Sequence, residues 1–230
     1  MTDPQAADHA TAAVAPCSGA RTADDELRAR TYGLLSHLLY TPPDRELLAS
    51  LATVDSAPAE DETLLAAAWR MLSVAARRAA VEELRHEYQS LFIGVGQGEV
   101  VPYGSWYQTG FLMEQPLARL RSDLRALGVE RDAGVCEPED HAAALCAVMA
   151  LIAAEDAAED AVDAVEQQRV FFERHIAPWM VRFFRDLQQA PSARFYRSVG
   201  QLGERFIEVE QQAFAMSTPP ARDLRRANPK

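Results

Sequence analysis

The spacing of the apolar residues narrows most what this chain can fold into. Between its punctuation points they recur every three to four positions, and no segment alternates cleanly at period two. A chain patterned this way buries one face of each helix against its neighbours and offers no half-buried strand to a sheet. The expected fold class is therefore all-α. Gly and Pro number only 11 and 13 in 230 residues, and they fall in clusters that mark helix ends.

Leu27, Leu34, Leu35, Leu38 and Leu39 form the first stripe, with Asp24 and Asp25 at the positive end of its dipole. Thr41-Pro42-Pro43-Asp44 stops that helix and opens a short one from Arg45 to Leu51. Leu64, Leu65, Ala68, Trp69 and Leu72 make a third stripe, and another runs from about Val74 through Leu84, Tyr88, Leu91 and Phe92. Residues Gly94 to Ser105 are helix-poor and read as a flexible loop. Leu117, Leu120, Leu124 and Leu127 follow, closed by Gly128 as a C-cap. Pro138 suits a first helical turn, with Glu139 and Asp140 beside it, in a helix carrying Leu145, Val148, Met149 and Ile152. Segments around Val170 to His175, Trp179 to Leu187 and Phe195 to Phe214 complete the pattern. This reads as a single-domain helical bundle of about ten helices over residues 24–216, with a flexible tail at 1–23 and a basic one at 217–230.

Charge excludes some partners. Lys and Arg total 23 against 34 Asp and Glu, a net charge of −11. Such a chain is a poor holder of a phosphate backbone, so no nucleic acid is expected, and basic peptides suit it better. From Glu137 to Glu166 the acids are Glu137, Glu139, Asp140, Glu155, Asp156, Glu159, Asp160, Asp163 and Glu166, with no Lys or Arg among them. That run is either a solvated helix face or a lure for a basic segment. The C-terminal stretch has the opposite sign, with Arg222, Arg225, Arg226 and Lys230 against Asp223. Cys17, Cys136 and Cys146 are odd in number and lack a Cys-x-x-Cys, which fits a reducing compartment. No stretch approaches the ~20 apolar residues of a membrane span. Asp3 and Asp8 stand where a secretory signal would be positive, so a cytoplasmic location without integral membrane association is expected.

Catalytic constellations are sparse. There is one Glu-x-x-His, Glu83 to His86, where a di-iron bundle needs two. Cys136, His141 and Cys146 lack zinc spacing, so no metal is expected. Gly94-x-Gly96-x-Gly98 lacks both the Lys of a P-loop and a preceding strand. Ser105 and His141 could pair as nucleophile and base, but neighbouring helical residues diverge by about 100°, which leaves Asp140 badly placed to orient His141. A small helical hydrolase or metal-dependent enzyme using Ser105 and His141 remains the alternative. Two features stand out: the aromatic loop Pro102-Tyr103-Gly104-Ser105-Trp106-Tyr107 and the acidic cluster Glu137-Pro138-Glu139-Asp140-His141. Aromatics in such a loop either form a binding surface or cap the core.

Taken with Tyr88-Gln89-Ser90-Leu91-Phe92, these features make an ordered set: Tyr-x-x-Leu-Phe, then Pro with Ser-x-Tyr, then Pro-x-Asp-His. The set resembles the TorD/DmsD family of redox-enzyme maturation chaperones. Its motifs cover roughly residues 84–152, and the likeness spans about 24–216. Phe111-Leu112-Met113-Glu114-Gln115-Pro116-Leu117 and the ending Phe195-Tyr196 to Phe206 look most like members associated with formate dehydrogenases. Tyr103-Gly104-Ser105-Trp106 departs from the commoner pattern, where a second Pro and a small aliphatic residue precede the last Tyr.

The resemblance implies a TorD/DmsD-like bundle, no catalysis and no resident cofactor. It implies a cytoplasmic protein that binds the twin-arginine leader, or the body, of an apo molybdenum or tungsten oxidoreductase until the cofactor is inserted. Monomer and domain-swapped dimer both stay open. The leader- or client-binding residues it implies are Tyr88, Leu91, Phe92, Pro102, Tyr103, Ser105, Trp106, Tyr107, Pro138, Glu139, Asp140 and His141. Asp140 and neighbouring acids would take the arginines, while Trp106, Tyr107, Leu91 and Phe92 would take the apolar stretch. The loop 101–107 and the helix start at Pro138 would then form one groove. A structural partner subunit of the mature oxidoreductase is the second alternative.

Overall fold

The computed structural model describes residues 23–54, 63–94, 97–132, 134–154 and 161–217. Residues 1–22 and 218–230, most of the expected tails, lie outside the described residues, as do Cys17, Val95, Gly96 and the acids Glu155, Asp156, Glu159 and Asp160. The described residues form ten α-helices and no strand. In chain order they are α1 (Ala23–Tyr40), α2 (Arg45–Ala52), α3 (Leu64–Arg78), α4 (Val81–Tyr88), α5 (Gly104–Thr109), α6 (Gln115–Ala126), α7 (Ala142–Ala154), α8 (Ala161–His175), α9 (Met180–Gln189) and α10 (Phe195–Ser217). A π-helical turn, Gln89–Ile93, extends α4.

Local chemistry sets several boundaries. Asp44 caps α2, accepting from the Leu47 N–H at 2.8 Å, and Thr63 caps α3 from its hydroxyl. Past α6, Gly128 has φ +69°, its N–H donates to Arg125 O, and the Val129 N–H donates to Leu124 O. That pair of bonds is a Schellman closure, as the Gly128 C-cap predicts. The start of α10 is capped from far away in sequence. The Glu87 carboxylate accepts the N–H groups of Arg194 (2.8 Å), Phe195 (3.2 Å) and Tyr196 (2.8 Å). A buried carboxylate there satisfies orphan donors and sits at the positive end of the dipole.

Two expected elements differ. The stripe from Val74 to Phe92 is two helices, because Ala79 is extended (φ −77°, ψ 138°) and breaks the chain between α3 and α4. Pro138 is not in a first helical turn: Pro138–His141 is a turn closed by His141 N–H to Pro138 O, and α7 begins at Ala142.

One apolar core runs through the bundle, with Trp179, Tyr32, Tyr196, Phe172, Phe183 and Phe184 fully buried. Each such side chain contributes about 1.5–3 kcal/mol by leaving water. Helix α7 is apolar almost all round, which suits its place against α1 and α8. It runs antiparallel to α1: Tyr40 and His141 line one cleft, while at the far ends Arg28 donates to Gln168, whose amide donates to Ile152 O. Helix α10 is also antiparallel to α1, tied by Tyr196 OH to Leu38 O at one end and Arg28 to Glu210 at the other. Helices α9 and α10 approach closely because Gly203 has no side chain. A Cβ there would lie 2.3 Å from the Phe184 ring.

Candidate functional site

The two sequence features meet. Tyr103 and His141 form an isolated antiparallel bridge: Gly104 N–H donates to Asp140 O (2.9 Å) and Ala142 N–H donates to Pro102 O (2.8 Å). The bridge joins two helix starts, and each signature side chain serves one of them. Asp140 Oδ2 accepts from the Ser105 N–H at 2.7 Å and so caps α5. His141 Nδ1 accepts from the Ala143 N–H at 3.1 Å and caps its own helix, α7. Ser105 Oγ accepts from the Met113 N–H, holding the turn in which Met113 takes φ +60°. Gly104 leaves room for Trp179, since a Cβ would meet the indole nitrogen at 3.1 Å.

The electrostatics follow from burial. Burial pushes the His141 imidazole down from 6.5 to about 4, against the pull of Glu137 and Asp140. The neutral ring is the form whose Nδ1 can accept. Burial, with the hydrogen bond to Glu137, raises the Tyr103 hydroxyl, and burial with the bond to Asp186 raises that of Tyr107. Asp140 is buried, and its Oδ1 has no hydrogen-bond partner among the described residues.

The other expected site residues are placed as follows. Leu91 and Pro102 are buried, Leu91 completely, so neither presents surface to a peptide. Tyr88 OH donates to Tyr40 O (2.7 Å) at the end of α1, and its ring packs with Phe92 and Tyr196. Tyr107 stacks on Trp179 and donates to Asp186 at 2.8 Å. Trp106 is 40% exposed, and Glu139 pairs with Arg121 at 2.9 Å. Ser105 and His141 are each engaged with backbone amides rather than with one another. Among the described residues no three His, Cys, Asp or Glu side chains gather to hold a metal ion, and no helix is long and apolar enough to cross a membrane.

Beside the bridge lies an apolar cleft of about 290 Å³. Ser36 and Tyr40 of α1, Leu124 of α6, and Ala143, Ala144, Ala147, Val148 and Leu151 of α7 line it. The connection from α6 to α7 adds Val129, Glu130, Arg131, Val135, Glu137, Pro138, Glu139 and His141. Of the expected site residues, Pro138, Glu139 and His141 line this cleft, and none from 102–107 does. The two arms therefore lie side by side, but the expected single groove is lined by one of them. Tyr103 and Tyr107 are turned against His141 and Trp179 instead.

The small side chains of α7 escaped the sequence reading, although Ala143, Ala144 and Ala147 sit at helical spacing on one face. Sequence reasoning also passed over a second apolar surface. Next to Trp106, the turn Phe111-Leu112-Met113 is exposed, Phe111 by 68% and Met113 by 71%.

Comparisons with known proteins give the class of this helical bundle: a chaperone of redox-enzyme maturation. The chain belongs to the nitrate reductase delta subunit family, the TorD family, whose model matches residues 58–185. It is 27% identical over 205 residues to a chaperone protein TorD of Vibrio cholerae, covering 81% of this chain and 91% of that one. It is 26% identical over 214 residues to the chaperone protein TorD of Shewanella loihica, covering 84% and 95%. These relatives are named chaperones, not enzymes, in line with the expectation of no catalysis. In fold it is similar to a redox enzyme maturation protein from Archaeoglobus fulgidus, with TM-score 0.50 and 16% identity over 79% of this chain and 94% of that one.

Proposed function

We propose that this chain holds the twin-arginine leader of an apo molybdenum or tungsten oxidoreductase, of formate dehydrogenase or DMSO-reductase type, in the cleft beside the Tyr103–His141 bridge. It would do so in the cytoplasm until the cofactor is inserted. One observation carries the reading: the cleft is lined mostly by apolar side chains, and the exposed carboxylates of Glu130 and Glu137 stand among them, while Glu139 is already paired with Arg121 and Arg131. A twin-arginine leader is a basic segment followed by an apolar one, so its two halves match mouth and interior. With Asp140 buried at the bridge and Glu139 paired with Arg121, the acids offered to the arginines are Glu130 and Glu137. The exposed face of Trp106, Phe111 and Met113 is a second surface, suited to the body of the client.

Titration of a labelled twin-arginine peptide tests this. Ala147→Trp should fill the cleft from the α7 face and weaken binding at least tenfold, about 1.4 kcal/mol, with little change in melting. Unaltered affinity in that variant would remove the cleft from the mechanism. The family description names a subunit, so a lasting place beside the mature oxidoreductase is the second reading. A pull-down from cells blocked in molybdenum-cofactor synthesis separates the two. A chaperone recovers apo enzyme there, whereas a subunit recovers cofactor-loaded enzyme from unblocked cells.

A further inference from the structure

We infer that the hollow where α3, α4 and the α9–α10 connection meet binds a small phosphate ester, with the phosphate held between Arg78 and Arg194. The hollow measures about 700 Å³ and shares no lining residue with the cleft beside the bridge. Three pieces of chain build it. Ala79 is extended and turns the chain between α3 and α4, and the small side chains of Ala75, Ala79 and Ala80 leave that corner open. Across from them, the Glu87 carboxylate fixes the start of α10 by accepting from the N–H groups of Arg194, Phe195 and Tyr196.

Two cations there are spare. Arg78 and Arg194 line the hollow, are exposed, and their guanidinium groups have no hydrogen-bond or ion-pair partner among the described residues. Arg28, Arg85, Arg121, Arg169 and Arg185, by contrast, each meet a carboxylate. The carboxylates lining the hollow are Glu83 and Glu87. Glu87 is used by three N–H groups at the positive end of the α10 dipole, which leaves Glu83 against two guanidinium groups. The dipole accounts for one arginine and not for the other. Arg78 stands in the last turn of α3, where a cation is favoured. Arg194 immediately precedes α10, where a cation is disfavoured and Ser, Thr, Asp or Asn is preferred. His86 lines the same hollow and adds a ring N–H donor.

Two guanidinium groups on different elements suit a phosphate better than a carboxylate. One arginine occupies both oxygens of a carboxylate, whereas a phosphate monoester offers three oxygens and accepts from both arginines at once. Ala75, Ala79, Leu84 and Phe195 supply an apolar wall for the organic part of the ester. A bound ester ties the end of α3 to the start of α10, so binding should stabilise the folded chain.

Phenyl phosphate is the probe, titrated into the full-length chain by calorimetry. It should bind and raise the melting temperature with concentration. No binding up to about 10 mM would overturn the inference. Arg78→Gln with Arg194→Gln should weaken binding about tenfold or more, since both charge-assisted contacts go. Arg119→Gln with Arg125→Gln, on α6, removes the same charge outside the hollow and should leave affinity within about twofold. Equal losses in the two pairs would mean that the probe feels only net charge, and there would be no site. Phenylglyoxal, which modifies exposed arginines, gives a readout without substitution. Saturating phenyl phosphate should protect Arg78 and Arg194 and leave Arg119 and Arg125 reactive, as mapped by mass spectrometry. Uniform protection, or none at Arg78 and Arg194, would also overturn the inference. Benzoate binding as tightly as phenyl phosphate would overturn the choice of a phosphate.

Discussion

His141 spends its polar capacity inside the protein, and that gives it a measurable signature. Its Nδ1 accepts from the Ala143 N–H, and burial holds its pKa near 4 against 6.5 for a free imidazole. A buried neutral histidine binds fewer protons than the unfolded chain between those two values. Its stabilising contribution is therefore full above pH 6.5 and is lost as pH falls through 4, by up to about 3 kcal/mol. His141→Asn keeps a capping oxygen and removes the titration, so unfolding free energies measured from pH 7 to pH 4 should slope less in the variant. Asp140 belongs to the same scaffold. Asp140→Ala should cost about 1–2 kcal/mol in melting through the lost cap on α5. Glu130→Gln with Glu137→Gln should instead leave melting almost unchanged and weaken a leader peptide severalfold. If Asp140→Ala melts as wild type and loses the peptide, the roles assigned here are reversed. The sequence motif picks out Ser105, Asp140 and His141 as a set. It does not tell a set that contacts a partner from one that ties two helix starts together, because both uses need the same donors and acceptors.

Helix boundaries carry the next level of meaning. Gly203 lies inside α10, where Gly→Ala ordinarily gains up to about 1 kcal/mol from helix propensity. Here the new Cβ would fall 2.3 Å from Phe184, so the sign should invert, with a loss of about 1–3 kcal/mol from overpacking. Thermal unfolding of Gly203→Ala decides which effect wins, and a stabilised variant would contradict the close approach of α9 and α10. Removing the carboxylate at Glu87 should cost a comparable amount, since three N–H groups lose their acceptor. Most helices are legible in the apolar spacing, because a buried stripe must repeat at the helical period. The errors fall at ends: Leu27 and Leu64 belong to their stripes by spacing but are 59% and 67% exposed, lying where the neighbours stop. The break between α3 and α4 has no Gly or Pro to announce it, and alanine at 79 and 80 fits helix or extended chain alike. The cleft was illegible for a related reason: alanines read as helix filler, and their depth depends on where α1 and α6 come to rest.

At the scale of the whole molecule, the ends of α1 and α10 are locked by charge. Arg28 pairs with Glu210 through two 2.8 Å bonds, and Glu210 also accepts from Tyr32 at 3.0 Å. The Glu210 side chain is only 2% exposed, so Arg28→Met strands a buried carboxylate and should cost about 3–5 kcal/mol. Adding Glu210→Leu removes the stranded charge and should recover much of that loss. A double variant as unstable as the single one would show that packing, not charge, holds the two helices together. Leader binding should also weaken with salt, since charges at an open cleft mouth are screened over about 8 Å at physiological ionic strength.

With the half-buried Trp69 of α3 replaced by Phe, Trp179 and Trp106 give the molecule a pair of built-in optical reporters. Trp179 is fully enclosed, its indole N–H held by the His175 carbonyl at 2.7 Å and its ring stacked on Tyr107. Trp106, the residue before Tyr107, stands partly in solvent next to the exposed turn 111–113. Emission from the first belongs at the blue edge and from the second at the red. A partner that covers the turn should shift only the red component, while loosening of the bridge frees the blue one. A single spectrum would then tell a docked client from a disturbed scaffold without any attached dye.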